Sequence, residues 1–346
     1  MTQVQSAPPS LPAPPSLPTR VARFVLGGNK ALLFAVLFAA VLSLLSQYFF
    51  TVGNIASLLD QIVSLMVVAL AYTFVLGAGE LDLSIGGMVA LTGLVMAKCM
   101  TDFNLPVPVA IAIGIALGVA CGVLNATLIS KFGLPSFIVT LATNAVFVGL
   151  VYIVSNLVPV TNLPEGFLAI QQTRIGPFSL PVLLLVPIAA VLIIVAKRTV
   201  FGQHVVALGG NRDAVRKAGI SIERVRLGVF CLTGAACGVA AVFLTARSAS
   251  AQIAAGSDLL LLVIAAVVIG GTPLLGGKTL VVGTIFGCLT LGMIANGLNL
   301  IGMNANFQII TQGILILLAL LVDVQSTRLL TRIDKNAMLR SRGVQQ

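Results

Sequence analysis

The chain has no tryptophan, a single histidine and only ten acidic residues in 346. Each scarcity excludes something. With His204 as the only histidine, a histidine-based metal site or catalytic triad is ruled out. Without tryptophan, and with only Tyr48, Tyr72 and Tyr152 as tyrosines, the aromatic platform of a tight sugar pocket is missing. Charged residues make up 9% of the chain, against about 25% in a soluble domain. The five cysteines (Cys99, Cys121, Cys231, Cys237, Cys288) lie in or beside apolar runs without metal-like spacing, as packing residues do.

What is present is apolar surface: 58% of the residues are hydrophobic and the mean hydropathy is +1.10. This composition describes a polytopic membrane protein, all-α, with little mass outside the bilayer. The net charge of +10 does not point to nucleic acid. Lys and Arg instead mark the cytoplasmic loops of a membrane protein.

A bilayer core needs about 20 apolar residues in helix. By that measure ten transmembrane helices are expected, at 31–49, 59–77, 84–101, 106–130, 136–156, 178–196, 227–246, 257–275, 279–299 and 306–323. Two pairs are separated only by Gly-rich turns, so eight or nine full spans with re-entrant segments stay open. Residues 1–29 are expected to be a disordered, Pro-rich cytoplasmic tail, 30–324 the transmembrane domain, and 325–346 a basic cytoplasmic tail. With both termini in the cytoplasm, the inside holds seventeen Lys and Arg residues and the outside three (Lys98, Arg174, Arg247). The reverse orientation inverts that ratio. A weak internal repeat relates 75–93 to 268–283, each an apolar span, a Gly turn and a second span.

No charge falls in the middle of any predicted span, which argues against an ion-coupled transporter, because moving protons needs titratable groups there. Neutral polar residues remain. Asn125, Asn144, Asn296 and Asn299 are the candidates for a translocation path, since a buried amide must be paired or wetted; the alternative is hydrogen bonding between helices. The turn 77–87 (GAGELDLSIGG) carries Glu80, Asp82 and Ser84. It reads either as a tight turn in which Asp82 or Ser84 caps the next helix, or as a gate or partner contact.

The longest polar interruption is 197–226, with seven of the twenty Lys and Arg residues. Gly209 and Gly210 can end a turn there, Asn211 can N-cap a short helix over 212–218, and Gly219 can close it, with Ala214 and Ala218 on one face. Such a helix suits a groove in another protein, although a basic loop that only sets topology has the same composition. The segment TPLLGGKT (272–279) fails the phosphate-binding pattern GxxxxGK[ST] at its first position, where Thr272 stands. The chain therefore lacks an ATPase site of its own.

Several separated blocks resemble the permease subunit of the ribose-type, simple-sugar ABC transporter family. They are GELDLSIGGMVALTG (79–93), NATLISKFGLPSFIVTLAT (125–143), ALGGNRDAVRKAGISIERVRLGVFCLTGAACGVAA (207–241), AAVVIGGTPLLGG (265–277) and NGLNLIGMNANFQIITQGILILLALLVD (296–323). The resemblance covers about 50–323. It implies an ABC importer permease in the bacterial inner membrane that pairs with a second copy or a paralogue. A cytoplasmic ABC ATPase would bind the ATP, a periplasmic binding protein would deliver the sugar, and lipid would surround the rest, with no cofactor in this chain. It also implies that 197–226 holds the helix coupled to the ATPase. Glu80 departs from the family, where many relatives have Gly in a GGIDLS-like turn. A passive facilitator or secondary transporter is the rival reading. An intramembrane enzyme would need a reactive constellation in the spans, and none is visible.

Overall fold

The computed structural model describes residues 30–304 and scattered residues between 307 and 321. The expected tails 1–29 and 325–346 lie outside the described residues, as does much of the span expected over 306–323. The described chain is a bundle of helices in the order α1 (Lys30–Leu45), α2 (Val52–Gly77), α3 (Ile85–Thr101), α4 (Val107–Phe132), α5 (Ser136–Ser155), α6 (Glu165–Gln172), then a two-stranded hairpin of β1 (Arg174–Ile175) and β2 (Phe178–Ser179). After it come α7 (Leu180–Arg198), α8 (Val200–Gly210), α9 (Arg212–Lys217), α10 (Ile222–Ser248), α11 (Leu259–Ile269) and α12 (Val281–Leu300).

Six of these, α2, α4, α5, α7, α10 and α12, are long and apolar enough to cross a membrane. Three expected spans form shorter apolar helices, α1, α3 and α11. The largest difference is at 257–275, where α11 is only 11 residues long. Gly270 and Gly271 end it, and Gly271 has φ of 94°, a left-handed conformation that suits glycine.

Helix α2 is the centre. From Ile62 to Gly77 every residue is buried, so the helix is apolar all round rather than on one stripe. It packs against α7, α8, α10, α11 and α12. The closest helix pair is α4 with α10, where small residues let backbones touch. A Cβ on Gly118 would lie 2.2 Å from the carbonyl oxygen of Gly234, and one on Gly122 would lie 2.3 Å from that of Phe230. Gly118 and Gly122, one turn apart, set bare backbone of α4 against α10, whereas a Cβ on Gly114 would face Met96 and Thr92 of α3.

The two ends of the bundle differ. At one end the chain turns through 78–84, 133–135, 199–221 and 270–280, and here lie Lys131, Lys197, Arg198, Arg212, Arg216, Lys217, Arg224, Arg226 and Lys278. We call this the basic end. At the opposite end the hairpin sits over α2, and residues 160 and 251 exchange two backbone hydrogen bonds of 3.1 and 2.9 Å.

One sequence expectation is corrected at that opposite end. Helix α2 begins at Val52 rather than near residue 59, which places Asp60 two turns inside it, 7% exposed. Its charge is met by Arg174 of the hairpin, Nη2 to Oδ2 at 3.1 Å, while the Ser179 hydroxyl donates to Oδ1. A buried carboxylate is tolerable only when paired and hydrogen-bonded in this way. The hairpin thus supplies the partners that the bilayer does not.

Candidate functional site

Three glycine-containing segments meet at the basic end. They are the C-terminus of α2 with its following turn, the end of α8, and the loop between α11 and α12. The Gly277 amide donates to the Gly77 carbonyl at 2.9 Å. Between them lies Gly209, where a Cβ would stand 2.1 Å from the Gly77 oxygen and 2.4 Å from the Gly277 nitrogen. No side chain fits at that point, so glycine there serves close approach rather than an unusual φ. Gly210 has nothing within 4 Å of a built Cβ, so the two adjacent glycines differ in role. One helix turn deeper, the hydroxyls of Thr73 on α2 and Thr284 on α12 are 2.8 Å apart.

From this junction the chain enters α9. The Asn211 side chain accepts the Ala214 amide at 2.9 Å, satisfying one of the unpaired donors of the helix start. Gly219, at φ of 75°, takes the left-handed position past its end. Only Val215 is buried; Ala214, Ala218 and Gly219 are exposed, beside Arg216 and Lys217. The short helix expected over 212–218 forms over 212–217. The preceding helix α8 was not expected, because only one short helix was read in 197–226. Thr199 N-caps it by accepting the Gly202 amide at 3.2 Å.

The chain turns at 78–79, where Gly79 has φ of 70°, and residues 80–83 then follow α5 without regular structure. The Leu81 amide donates to Ser136 Oγ at 3.0 Å, Leu83 to Thr140 Oγ1 at 2.9 Å, and Gly87 to Asn144 Oδ1 at 3.0 Å. Three α5 side chains, each one helix turn beyond the last, therefore stand in for missing backbone partners. Irregular backbone inside a membrane protein needs such protein partners. Ser84 stands at the N-cap of α3 but makes no side-chain cap bond there. Instead Asp82 Oδ1 accepts both the Ser84 amide at 2.9 Å and its hydroxyl at 2.6 Å.

The network continues inward. Asn125 Nδ2 on α4 donates to Ser84 Oγ at 2.8 Å, and the Thr143 hydroxyl donates to Asn125 Oδ1 at 2.7 Å. The Tyr72 hydroxyl accepts the Asp82 amide at 3.2 Å. Asp82 Oδ2 is buried and has no hydrogen-bond partner among the described residues. An unmet buried carboxylate oxygen costs free energy, which a rearrangement bringing a donor to it would recover.

Glu80, at the mouth of this segment, is 1% exposed. Its Oε1 accepts from Arg226 Nε at 2.9 Å and Nη2 at 2.8 Å, and from Arg212 Nη2 at 2.9 Å. Arg226 also donates to Ser130 Oγ on α4 at 3.0 Å, and Arg212 to the Gly79 carbonyl at 3.2 Å. Reading the sequence found Glu80 but not its partners. The signal available was one acid in the turn and an excess of arginine in 197–226.

The four candidate path asparagines are not brought together. Asn125 and Asn144 brace 79–87 near the basic end. Asn296 lies toward the opposite end, 7% exposed, in a reciprocal amide pair with Asn54, both bonds 2.9 Å. Asn299 is exposed one turn further on. Asn54, like Asp60 and Tyr72, was missed, because nothing local distinguishes it. Among the described residues no group of three or more His, Cys, Asp or Glu side chains converges as a metal site would.

Comparison with known proteins gives this arrangement its context. Residues 54–320 match the family described as the permease component of branched-chain amino acid transport systems. The ribose import permease of Bacillus subtilis is 38% identical over 286 residues, 82% of this chain and 88% of that protein. The ribose import permease of Haemophilus influenzae is 31% identical over 308 residues, 88% and 95% of the two chains. The D-allose transport system permease of Escherichia coli is 32% identical over 291 residues, 84% and 89%. No solved structure matches the chain.

Proposed function

This chain belongs to the family of ribose-type sugar ABC permeases, and from that premise we propose that it carries a ribose-like monosaccharide or related polyol into the cytoplasm. It is a transport subunit and not an enzyme in itself. A cytoplasmic ATPase partner binds and hydrolyses the ATP, a periplasmic binding protein delivers the sugar, and a second permease, identical or a paralogue, completes the path. The basic end faces the cytoplasm, following the asymmetry of Lys and Arg. The chain crosses the inner membrane ten times with both termini inside.

The observation that carries this reading is the contrast within the segment 209–219. Its helix presents Ala214, Ala218 and Gly219 to solvent, while its root is wedged between two loops of the bundle without a side chain in between. A small exposed helix on a rigid root is what a docking element requires. The segment 79–84, with its unmet Asp82 oxygen, supplies a gate: a piece of chain held in the bundle by side chains that another arrangement can release. Asn125, Asn144, Asn296 and Asn299 line the path, the first two near the basic end and the last two toward the opposite one. The broad specificity such a path implies fits the missing aromatic platform, and it leaves selection to the binding protein.

Proteoliposomes test the proposal. Sugar uptake should require the ATPase, ATP and the binding protein together, and Ala214→Arg should abolish ATPase association and uptake while membrane insertion stays normal. Uptake by the permease alone would identify a facilitator instead.

A further inference from the structure

We propose that Glu80 is the positioning residue that transmits movement of the docking helix to the gate segment 79–84. The inference rests on the reading of α9 as the ATPase-docking helix and says how that helix would act on the membrane core.

The geometry sets two unequal arginines on one carboxylate oxygen. Arg226 is the fixed member. Its side chain is 10% exposed, it gives Glu80 Oε1 two hydrogen bonds, and a third ties it to Ser130 of α4. Arg212 is the movable member. It is the first residue of α9, its side chain is 48% exposed, and it reaches Oε1 at 2.9 Å and the Gly79 carbonyl at 3.2 Å. Arg212 thus holds both the side chain and the backbone at the start of the gate segment.

From Glu80 the connection is continuous. Two residues on, Asp82 is bound to Ser84, and Ser84 to Asn125 and through it to Thr143. Directly after Ser84 begins α3. A shift of α9 that carries Arg212 away must either break its bonds to Glu80 and Gly79 or draw that end of the segment with it. The Arg226 contact makes the carboxylate a pivot, because two bonds from a buried, thrice-bonded guanidinium resist displacement more than one from a half-exposed side chain. The glycine junction beneath α9 gives a second, backbone contact to the same region: it meets Gly77 and also Gly79, where a built Cβ would lie 3.5 Å from Gly209 Cα. That backbone contact ends at Gly79, and the charge-assisted contact is the one that holds the Glu80 side chain.

The test uses the complete transporter, reconstituted with its ATPase and binding protein, and reads the ratio of sugar transported to ATP hydrolysed. Glu80→Gln keeps the shape and an acceptor oxygen but removes the charge; Arg212→Gln removes the movable contact at a half-exposed site. Each should lower the ratio about tenfold while ATPase co-purification and the melting temperature of the Arg212→Gln protein stay at parent values. The double variant should be no worse than the more affected single one, because both remove one connection. An unchanged ratio in both, or effects that multiply in the double variant, would overturn the proposal. If Glu80→Gln fails to insert, Arg212→Gln alone decides, by its ratio. Failure of the docking reading is separate, since it would appear as normal ATPase association in Ala214→Arg.

Discussion

Gly209 and Gly210 are adjacent and chemically identical, yet the structure assigns them opposite responses to the same substitution. A methyl group at residue 209 would begin 2.1 Å from the Gly77 oxygen. An ordinary carbon–oxygen contact needs roughly 3.3 Å, so the end of α8 must retreat by about 1 Å. The Gly277 amide, 2.4 Å from the same methyl, must retreat as well, which breaks its 2.9 Å hydrogen bond to Gly77. The lost bond costs about 0.5–1.5 kcal/mol and the overpacking about 1–3 kcal/mol. Against these stands a gain of about 0.5–1 kcal/mol from removing a helical glycine. Gly209→Ala should therefore destabilise by about 0.5–4 kcal/mol. Gly210→Ala has only the gain, because its Cβ enters open space.

Buried thiols provide the assay. Cys121, Cys237 and Cys288 are free and buried, so a thiol-reactive fluorophore reports their exposure as the detergent-solubilised protein melts. Gly209→Ala should melt below the parent, and Gly210→Ala at or slightly above it. Uptake should fall with the first and persist with the second. A Gly209→Ala protein that melts with the parent would refute the junction as described, and so would equal losses at both positions.

Three further outcomes follow from the same geometry. Asn54→Ala and Asn296→Ala should each destabilise by about 1–3 kcal/mol, while the double variant should cost less than their sum, because neither leaves an unpaired amide behind; the thiol melt reads all three. Asp60→Ala should release the hairpin and accelerate tryptic cleavage after Arg174 in detergent, whereas Arg174→Gln should lower the melt more than Asp60→Ala does, since it leaves the buried Asp60 carboxylate without its cation. For orientation, a membrane-impermeant maleimide should label Ala218→Cys only from the cytoplasmic side and Ile175→Cys only from the other; labelling of both from one side would overturn the proposed topology.

The fold was legible where one physical rule acts over the length of a span. The helices α2, α4, α5, α7, α10 and α12 lie where apolar runs of membrane length are found. Legibility failed where local chemistry interrupts the run. At α11 the apolar stretch continues to Leu275, but Gly270, Gly271 and Pro273 stop the helix at Ile269. Around α8 the error went the other way. The segment was read only as part of the polar interruption 197–226, although Val205 and Leu208 bury one face and Thr199 caps the start. At the N-terminal end of α2, Thr51 accepts the Asn54 amide and starts the helix seven residues before the expected span. A hydropathy ruler measures what bilayer contact requires, and polar helix starts lie outside that measure.

The candidate site divides along the same physical line. Asn211 and Gly219 act on backbone within three or four residues, so a cap and a left-handed end could be read from spacing alone. Glu80 meets Arg212 and Arg226 across 132 and 146 residues, and no local rule pairs them. What the sequence does contain is the mismatch itself: a carboxylate at the mouth of an apolar bundle must find a cation or not ionise. Asp60 obeys that constraint with Arg174, and Glu80 with its two arginines, yet the consequences differ. Arg174 sits on a hairpin that only covers the bundle, whereas Arg212 opens the helix that projects from it. A buried carboxylate held from an exposed, movable element couples that element to the core, and one held from a fixed cover merely closes it. The same pairing rule therefore yields a clasp at one end and a transmission point at the other, and the difference lies in which element carries the arginine.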